Sequence, residues 1–472
     1  MYYASEKLRT RVYRHLQKWF SLDGGADLAR DLEALDWELL SRAMRECFGT
    51  GGCWKLPDEY GPAPFLPAIP ENQRQRELYE KAASIGELII ASGETAVFTV
   101  AGGQGTRLGF SGPKGTLGIA SLSGKSLFAL FADKIKWARK HYSASIPWII
   151  MCSPLNLEET MGFFRTHGFF EMDPETVHFI VQGVMPVADL QGNLLLSEKG
   201  RLALAPDGHG GSIRALNRSG LAEMLSDDGV KIISYFQVDN PLIEPLDPLF
   251  IGLHHLRESQ MSSRTVRKRS AREKTGVFAI HENRLMIIEY SDLPEERAAS
   301  TDSEGEIIFC AASPAIHLIS LDFLMDFHEG GVVLPFHKAV RKTEFLHDSG
   351  IVISPEYPNA VKFETFVFDA IPLAANSILL EVQREEQFSP VKNLHGEDTL
   401  DSARRDMVCR DIRWLKRAGI NVRNNHILEI DRGYYGSWKD LLERAEEIQQ
   451  FLDKLPEGCG CEIGETLKAH EK

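Results

Sequence analysis

The 472-residue sequence predicts an α/β fold with a mixed, mostly parallel sheet and helices on both of its faces. Short apolar segments with the length and composition of buried strands alternate with longer amphipathic segments through the middle of the chain. The strand-like segments are residues 96–100, 147–152, 177–181 and 231–238. The helix-like segments between them are residues 125–141, 157–167 and 212–225. Because parallel strands are joined by helical crossovers, this alternation predicts one sheet covered on both faces.

The first part of the chain is predicted to be helical. Val12, Leu16, Trp19 and Phe20 recur at helical spacing within residues 9–20. Residues 28–40 and 73–92 indicate further helices, and residues 49–52 with the proline-rich residues 57–70 predict an extended connector. We therefore expect a helical region over residues 1–92 that leads into the α/β domain.

Beyond residue 248 the pattern becomes richer in strands. The predicted strands are residues 261–268, 276–280, 285–290, 307–311, 361–368 and 378–382. Residues 291–306 are polar and charged, which predicts a surface loop. A helix from about residue 400, a strand-like piece over 421–430 and a charged helix over 438–455 indicate a small appendage. The predicted domains are therefore residues 1–92, 93–385 and 386–472.

Composition limits the classes of partner. A net charge of −14 and a pI near 5.6 argue against nucleic acid as a partner, because that affinity depends on neutralising phosphates. The basic run over residues 264–274 is interpreted as a solvated strand edge and loop. No apolar run of membrane-spanning length occurs, so we expect a cytoplasmic protein with no membrane partner. The seven cysteines are expected to be reduced thiols, and Cys459, Cys461 and His470 are too few for a zinc site.

The most informative stretch is the glycine-rich segment over residues 99–115, which directly follows the first predicted strand. It contains glycines at positions 102, 103, 105, 109, 112 and 115, and its only charged residues are Arg107 and Lys114. Glycine lets several backbone N–H groups approach an anion closely, and the two cations neutralise its charge. The segment therefore predicts a polyphosphate-binding loop, whereas a plain turn has no use for two cations.

Two common glycine-rich motifs are excluded by spacing. A dinucleotide fingerprint starting at Gly103 requires a third glycine where Leu108 stands. Gly124, Lys125 and Ser126 match the end of a P-loop, but Ile119 occupies the position of its first glycine. Neither a dehydrogenase nor a P-loop protein is therefore favoured.

Residues 101–109 have the sequence Ala-Gly-Gly-Gln-Gly-Thr-Arg-Leu-Gly, and residues 113–115 are Pro-Lys-Gly. This pattern resembles the nucleotidyltransferases that make nucleoside-diphosphate sugars, and in detail the UDP-N-acetylglucosamine pyrophosphorylase branch of the UDP-sugar pyrophosphorylase family. Further motifs follow in the family's order: Gln182-Gly183 with Pro186, residues 206–211 ahead of Arg214, residues 238–240, 289–291, 366–369 and 390–393. The resemblance covers residues 96–393, and several ordered motifs are more specific than one loop.

The resemblance implies a Rossmann-like, glycosyltransferase-A-like catalytic domain over residues 93–385. It also implies that a sugar-1-phosphate oxygen attacks the α-phosphorus of UTP, which forms a UDP-sugar and releases pyrophosphate. The sugar phosphate is already an oxyanion, so catalysis depends on alignment and charge neutralisation and needs no protein nucleophile. Arg107 and Lys114 are expected to bind the triphosphate, and Lys392 to neutralise the sugar phosphate or the α-phosphate. Considered alone, Lys392 is equally a surface lysine.

Asp239 is the expected Mg²⁺ ligand, because it follows an apolar strand where a carboxylate needs a cation, a donor or solvent. The alternative is a helix N-cap before Pro241. Whether one or two metal ions bind stays open. The resemblance places further residues at the nucleotide, namely Ala101, Gly102, Gly103, Gln182 and Gly208. It places another set at the sugar, namely His209, Gly276, Glu289, Ser313, Asn359, Phe366 and Phe368.

Two positions depart from the N-acetylglucosamine branch, because His209 and Ser313 stand where asparagines are usual. We therefore expect N-acetylglucosamine-1-phosphate as the sugar substrate, with a UDP-glucose, UDP-galactose or broad-specificity pyrophosphorylase as the alternative. As strand residues, Phe366 and Phe368 would share one face and are equally consistent with the core. An alternative of another class is a non-catalytic homologue that binds a nucleotide sugar. The joint presence of Arg107, Lys114, Asp239 and Lys392 favours the enzyme.

Overall fold

The computed structural model describes residues 2–21, 25–49, 55–197, 200–328, 331–422, 426–456 and 458–470. The chain forms two compact units. The larger unit comprises Tyr60–Val181, Ser219–Met325 and Ala374–Lys472, and the smaller unit comprises Met1–Glu59, Gln182–Arg218 and Asp326–Leu373. The domain limits that we place at residues 92/93 and 385/386 stay predictions.

An eleven-stranded mixed sheet lies at the centre of the larger unit. Its strands are β1 (Gly61–Pro62), β2 (Thr95–Val100), β3 (Trp148–Cys152), β4 (Val177–Val181), β8 (Ile232–Gln237), β9 (Met261–Arg267), β10 (Val277–His281), β11 (Arg284–Ile288), β12 (Ala311–Ala312), β13 (Ile316–Ser320) and β18 (Leu379–Glu381). Their order is β1-β10-β12-β9-β13-β8-β2-β3-β4, with β11 beside β10 and β18 beside β9. The predicted α/β fold with a mixed sheet is confirmed.

The predicted alternating segments form the parallel part of this sheet. Strands β8, β2, β3 and β4 are parallel neighbours, and Val97 is in register with Trp148 on one side and Ser234 on the other. Strand β3 is wholly apolar and β2 contains two threonines, and all their residues except Val100 are buried, as expected for strands covered on both faces. The remaining strands pair antiparallel, except that β18 runs parallel to β9, so the sheet is mixed as predicted but antiparallel pairs outnumber the parallel ones.

Helices of the larger unit connect and cover these strands. They are α4 (Gln73–Ala91), α5 (Leu127–Tyr142), α6 (Leu157–Thr166), α8 (Leu221–Asp227), α9 (Pro248–Leu256), α10 (Glu295–Ala298), α11 (Leu321–Met325), α12 (Arg384–Gln387), α13 (Leu400–Arg417) and α14 (Ala445–Asp453). Ser126 caps α5 by accepting from the Ala129 N–H, and Lys125 lies 2.7 Å from Asp133. The residues that resemble the end of a P-loop therefore begin a helix and form an ion pair.

The end of the chain forms a second, small sheet in the larger unit. Strands β19 (Ile427–Ile430), β20 (Gly460–Ile463) and β21 (Leu467–His470) pair in that order and share an apolar core with α13 and α14. The segment containing Cys461 is therefore a paired strand. All six cysteines that the structure describes are free thiols.

The smaller unit combines helices with short strands. Its helices are α1 (Tyr2–Leu16), α2 (Gly25–Glu33), α3 (Trp37–Phe48) and α7 (Gly211–Arg218). Its strands are β5 (Val184–Pro186), β6 (Ala188–Asp189), β7 (Leu204–Pro206), β14 (His337–Arg341), β15 (Phe345–Leu346), β16 (Val352–Ile353) and β17 (Ala360–Glu364). An apolar core that includes Leu28, Leu40 and Phe336 joins the first helices to the strands.

Several predicted elements differ from the structure. The single helix predicted over residues 212–225 is two helices, because Gly220 adopts a left-handed φ of 71° between them. The strand predicted over residues 307–311 is limited to β12 at its end. Arg264 is buried in β9, an interior strand, and forms a 2.6 Å ion pair with Asp247, so the basic run is not a solvated edge.

The strand predicted over residues 361–368 ends early. Strand β17 stops at Glu364, and Val367–Leu373 forms a 3-10 helix. The backbone of Thr365 bonds to Asp207 and Gly210 instead of continuing the sheet. Two predicted segments fall partly on residues outside the described part of the chain, namely residues 50–52 of the connector and residues 423–425 of the strand-like piece over 421–430.

Candidate functional site

The glycine-rich loop is fixed at both ends in the larger unit. At its start, the Ala101 N–H donates to the Met151 carbonyl at 2.8 Å, and the Ala101 carbonyl accepts from Asn156 Nδ2 at 2.9 Å. At its end, the Lys114 N–H donates to the Gly103 carbonyl at 3.1 Å. A backbone hydrogen bond therefore joins the two ends of the loop directly after β2, and Gly102 and Gly103 lie at its start.

Asp239 lies beside this loop, two residues after β8. The Val238 N–H donates to the Val100 carbonyl at 3.0 Å, so the ends of β8 and β2 are adjacent. Lys114 Nζ is 4.0 Å from Asp239 Oδ2, and the two side chains are 17% and 12% exposed. The N-cap interpretation of Asp239 is wrong, because the next helix is α9 and its N-cap is Asp247.

The segment that contains Lys392 is hydrogen-bonded to Asp239 and Asn240. The Val391 N–H donates to the Asp239 carbonyl at 2.8 Å. Asn240 adds two contacts, because its Nδ2 donates to the Gln387 carbonyl at 2.7 Å and its Oδ1 accepts from the Ser389 N–H at 3.1 Å. Lys392 and Arg107 are both exposed. The structure thus brings Lys114, Asp239 and the backbone at Lys392 together, with Arg107 on the exposed surface of the loop.

Three of the predicted sugar residues meet at the β10–β11 hairpin of the larger unit. The Ser313 N–H donates to the Gly276 carbonyl at 2.9 Å. A Cβ at Gly276 would lie 3.4 Å from Glu289 Oε1 and only 2.9 Å from Ile287 Cγ2. A side chain at Gly276 would therefore press against Ile287, and glycine avoids this contact.

Gln182 and Gly208 form a cluster in the smaller unit. Gln182 Nε2 donates to the Gly208 carbonyl at 2.8 Å, which orients the amide and leaves its Oε1 as an acceptor. Gly208 has a φ of 82°, and a Cβ there would lie 2.3 Å from the Thr365 carbonyl oxygen. Only glycine fits this position.

Aromatic rings stack next to Gly208. The ring of Phe366 lies 5.2 Å from His209 and 5.0 Å from Phe368, measured between centroids. His209 Nδ1 accepts from the Val367 N–H at 3.2 Å, so a neutral imidazole carries its proton on Nε2. Burial, followed by the charge of His337, lowers the pKa of His209 to about 4. His209 is therefore neutral at physiological pH and offers an N–H donor.

Asn359 is not part of these clusters. Both ends of its side-chain amide bind Thr343, because Oδ1 accepts from the Thr343 N–H at 2.9 Å and Nδ2 donates to the Thr343 carbonyl at 3.0 Å. It precedes β17, whereas Phe366 follows that strand, and five strand residues span roughly 17 Å. Asn359 is thus bonded to Thr343 across the ends of β14 and β17, and its role at the sugar stays a prediction.

Two polar pairs beside the aromatic stack were not identified from the sequence. Asp207 is fully buried and forms an ion pair with Arg214, and burial raises the pKa of its carboxyl group. His337 Nε2 lies 2.8 Å from Asp369 Oδ2, and the His337 ring lies 4.5 Å from that of Phe366. Asp207 and Arg214 lie within the motif over residues 206–214, which was a signal for the first pair. The 32-residue separation of His337 and Asp369 left no local signal for the second.

A cavity lies elsewhere in the larger unit. It measures about 750 Å³ and is lined by residues such as Trp137, Glu244 and Trp438, and by none of the predicted site residues. Among the described residues, no three His, Cys, Asp or Glu side chains are grouped closely enough to form a metal site by themselves. Within the same part of the chain, no helix is long and apolar enough to cross a membrane.

Comparisons with known proteins identify a family for the chain. The profile of the family described as UTP–glucose-1-phosphate uridylyltransferase matches residues 69–453. UDP-N-acetylglucosamine diphosphorylase 2 of Arabidopsis thaliana is 33% identical over 415 residues, which are 83% of this chain and 80% of that protein. UDP-N-acetylglucosamine pyrophosphorylase of Saccharomyces cerevisiae is 33% identical over 406 residues, 84% of this chain and 82% of that protein.

A solved structure supports the fold. The uridine diphosphate N-acetylglucosamine pyrophosphorylase of Trypanosoma brucei superposes with a TM-score of 0.80 at 23% identity, and the match covers 98% of each chain. At this level of identity the likeness concerns the fold and not the substrate.

Proposed function

The chain belongs to the UTP–glucose-1-phosphate uridylyltransferase family and is an enzyme of uridylyl transfer, and we propose that its sugar substrate is N-acetylglucosamine-1-phosphate. The reaction joins UTP and the sugar-1-phosphate to form a UDP-sugar and pyrophosphate. The single observation that carries the choice of sugar is the identity of about a third, over more than four fifths of the chain, to enzymes named for UDP-N-acetylglucosamine.

In this proposal Lys114 and Arg107 bind the triphosphate, and Lys392 neutralises the sugar phosphate or the α-phosphate. The position of Lys114 supports this assignment. Its ammonium group lies 4.0 Å from the Asp239 carboxylate and its side chain is only 17% exposed, so its positive charge has a fixed place at the edge of the sheet. UTP and the sugar-1-phosphate are both anions and repel each other. A cation bound to each of them aligns the two substrates and neutralises their charge.

Asp239 fits a Mg²⁺ ion held jointly with the substrate. Mg²⁺ in such sites usually takes one or two carboxylates and completes its octahedron with phosphate oxygens and water. The Asp239 carboxylate has a cation at 4.0 Å, whereas the neighbouring Asn240 Oδ1 already accepts from two backbone N–H groups. When bound, the ion would neutralise phosphate charge, and Asp239 is the residue of this chain that would hold it.

Gln182 and Gly208 take the uracil base in this proposal. The Gln182 amide donates to the Gly208 carbonyl, so its Oε1 is oriented to accept from the N3–H of uracil. His209, Phe366 and Phe368 of the smaller unit, and Gly276, Glu289 and Ser313 of the larger unit, keep the roles at the sugar that the family resemblance implies. The aromatic stack offers an apolar face for an acetyl methyl group, and Glu289 can accept from two hydroxyl groups.

A second candidate is transfer to glucose-1-phosphate or galactose-1-phosphate. His209 and Ser313 favour it, because neither side chain combines a donor pair with a carbonyl acceptor as the asparagines of the N-acetylglucosamine branch do. The cytoplasmic location and the absence of a nucleic-acid partner stay predictions from the sequence.

The experiment is an incubation of purified protein with UTP, Mg²⁺ and each of the three sugar-1-phosphates, in which the UDP-sugar and pyrophosphate are both quantified. We expect equal amounts of the two products with N-acetylglucosamine-1-phosphate. Binding of UDP-N-acetylglucosamine without any product from the three sugars would instead identify a non-catalytic homologue.

A further inference from the structure

A buried lysine of α5 forms hydrogen bonds with the loop over residues 239–247, which begins with Asp239. Lys134 Nζ donates to the Pro241 carbonyl at 2.9 Å and to the Ile243 carbonyl, and it lies 3.8 Å from Glu244 Oε1. The two carbonyl oxygens accept hydrogen bonds from Nζ, and the Glu244 carboxylate adds an ion pair beyond hydrogen-bond distance. The Lys134 side chain is only 4% exposed, so the loop backbone supplies most of the polar contacts of this cation.

Glu244 at the far side of the same loop binds an arginine from the end of the chain. Arg432 Nη1 and Nη2 donate to the two carboxylate oxygens of Glu244 at 2.7 and 2.9 Å. Burial raises the pKa of Glu244, but the charges of Arg432 and Lys134 overcome this effect and lower it to about 2. Glu244 is therefore ionised, and the bidentate pair fixes its position.

Arg432 is itself rigidly placed. Its Nε donates to the Tyr435 carbonyl at 3.0 Å, its Nη2 donates to the Gly436 carbonyl at 2.7 Å, and its guanidinium lies 4.3 Å from the centre of the Trp414 ring. The side chain is 3% exposed. Replacing buried ion pairs by apolar residues is often neutral or stabilising. Stability alone is therefore a weak explanation for the Glu244–Arg432 ion pair. Because Glu244 belongs to the loop that begins with Asp239, positioning of that loop is a better explanation.

We propose that Lys134, Glu244 and Arg432 are positioning residues, which hold the loop over residues 239–247 so that Asp239 binds the Mg²⁺ complex of UTP. Arg432 lies in the predicted region 386–472, and this gives that region a role in metal affinity. The inference rests on the proposed function, because it assumes that Asp239 is a metal ligand.

The test compares Glu244→Gln with the wild-type protein. Glutamine keeps the size of the side chain and loses the charge that holds Arg432 and Lys134. The first readout is Mn²⁺ binding in the presence of UTP and without sugar phosphate, followed by electron paramagnetic resonance. The second is the Mg²⁺ concentration that gives half-maximal turnover. The third is hydrogen exchange of the amides over residues 238–247.

We expect Mn²⁺ binding about ten-fold weaker or more, since loss of groups that orient a metal ligand typically costs that much affinity. Exchange over residues 238–247 should be faster, and kcat at saturating Mg²⁺ should stay within a few-fold of wild type. Arg432→Lys, which keeps the charge and loses the bidentate geometry, should show a smaller shift in the same direction. It serves as the second variant if Glu244→Gln does not fold.

Arg444→Gln is the matched control. Arg444 also comes from the C-terminal segment and binds Glu447, Tyr435 Oη and the Gly464 carbonyl, and its described contacts do not include residues 239–247. A control shift equal to that of Glu244→Gln, or unchanged Mn²⁺ binding in Glu244→Gln and Arg432→Lys, would overturn the inference while the proposed function stands. If the wild-type protein binds no Mn²⁺ with UTP, the proposed metal site fails and the inference fails with it.

Discussion

Lys114 Nζ and Asp239 Oδ2 lie 4.0 Å apart at the carboxyl edge of the parallel strands. Hydrogen-bonded ion pairs have N–O distances of roughly 2.7–2.9 Å, so neither group saturates the other. At this distance the Lys114 ammonium group can still bind phosphate oxygens, and the Asp239 carboxylate can still bind a metal ion. The predictions about phosphate transfer start from this pair.

Replacement of Lys114 by alanine should lower kcat by about two to three orders of magnitude, because it removes a fixed charge where negative charge develops. Steady-state kinetics with UTP and N-acetylglucosamine-1-phosphate measure this loss. Lys136→Ala, which removes a lysine paired with Glu171 on the surface of α5, is the control and should retain activity. Near-normal turnover in folded Lys114→Ala protein would show that the glycine-rich loop is structural.

Asp239→Asn should abolish the response to Mg²⁺ more strongly than it weakens UTP binding without metal. The substitution keeps the shape of the side chain and removes the negative charge that hard cations prefer. Calorimetric titration of UTP with and without Mg²⁺ separates the two effects, and the exposed Asp228→Asn serves as the control. An unchanged Mg²⁺ response would place the metal on other residues.

Gln182→Ala should reduce the preference for UTP over ATP. The amide is oriented by its 2.8 Å bond to Gly208, and its loss leaves the uracil N3–H without an oriented acceptor. An unmet polar group costs about 1–3 kcal/mol, so the ratio of kcat/KM values should fall by roughly 5- to 150-fold. A ratio equal to that of the wild-type enzyme would mean that the base is recognised elsewhere.

His209→Asn should flatten the pH dependence of stability between about pH 4 and 6.5. The pKa of His209 is about 4 in the folded protein and 6.5 in the unfolded chain, so the unfolded state binds more protons in this window. The free energy of unfolding therefore rises with pH there, by on the order of 1–3 kcal/mol for a half-buried group. Urea denaturation at several pH values, compared between wild type and variant, measures the slope. Identical slopes would contradict the assignment of a neutral His209.

The strands and the glycine-rich loop could be predicted because their signals are local. The apolar runs of β2, β3, β4 and β8 lie within a residue or two of their predicted limits, and Asp239 follows β8 as expected. The family resemblance is confirmed by the profile match over residues 69–453.

The features that were missed depend on contacts between distant residues. Phe366 leaves the strand because Thr365 bonds to Asp207, which is 158 residues away. Arg264 is buried because its guanidinium forms an ion pair with Asp247 and lies over the ring of Phe250. The pairing of Glu244 with Arg432 spans 188 residues. No local sequence pattern contains both partners of contacts as distant as those of Asp207 with Thr365 and of Glu244 with Arg432.

The most direct test of the central claim is kcat/KM with UTP and Mg²⁺ for N-acetylglucosamine-1-phosphate, glucose-1-phosphate and galactose-1-phosphate, measured on one preparation. The account predicts the highest value for N-acetylglucosamine-1-phosphate. The margin should be modest, about 2- to 10-fold, since His209 and Ser313 each change hydrogen bonds of about 0.5–1.5 kcal/mol. A higher value for glucose-1-phosphate or galactose-1-phosphate would contradict the choice of sugar, and no pyrophosphate from any of the three would contradict uridylyl transfer itself.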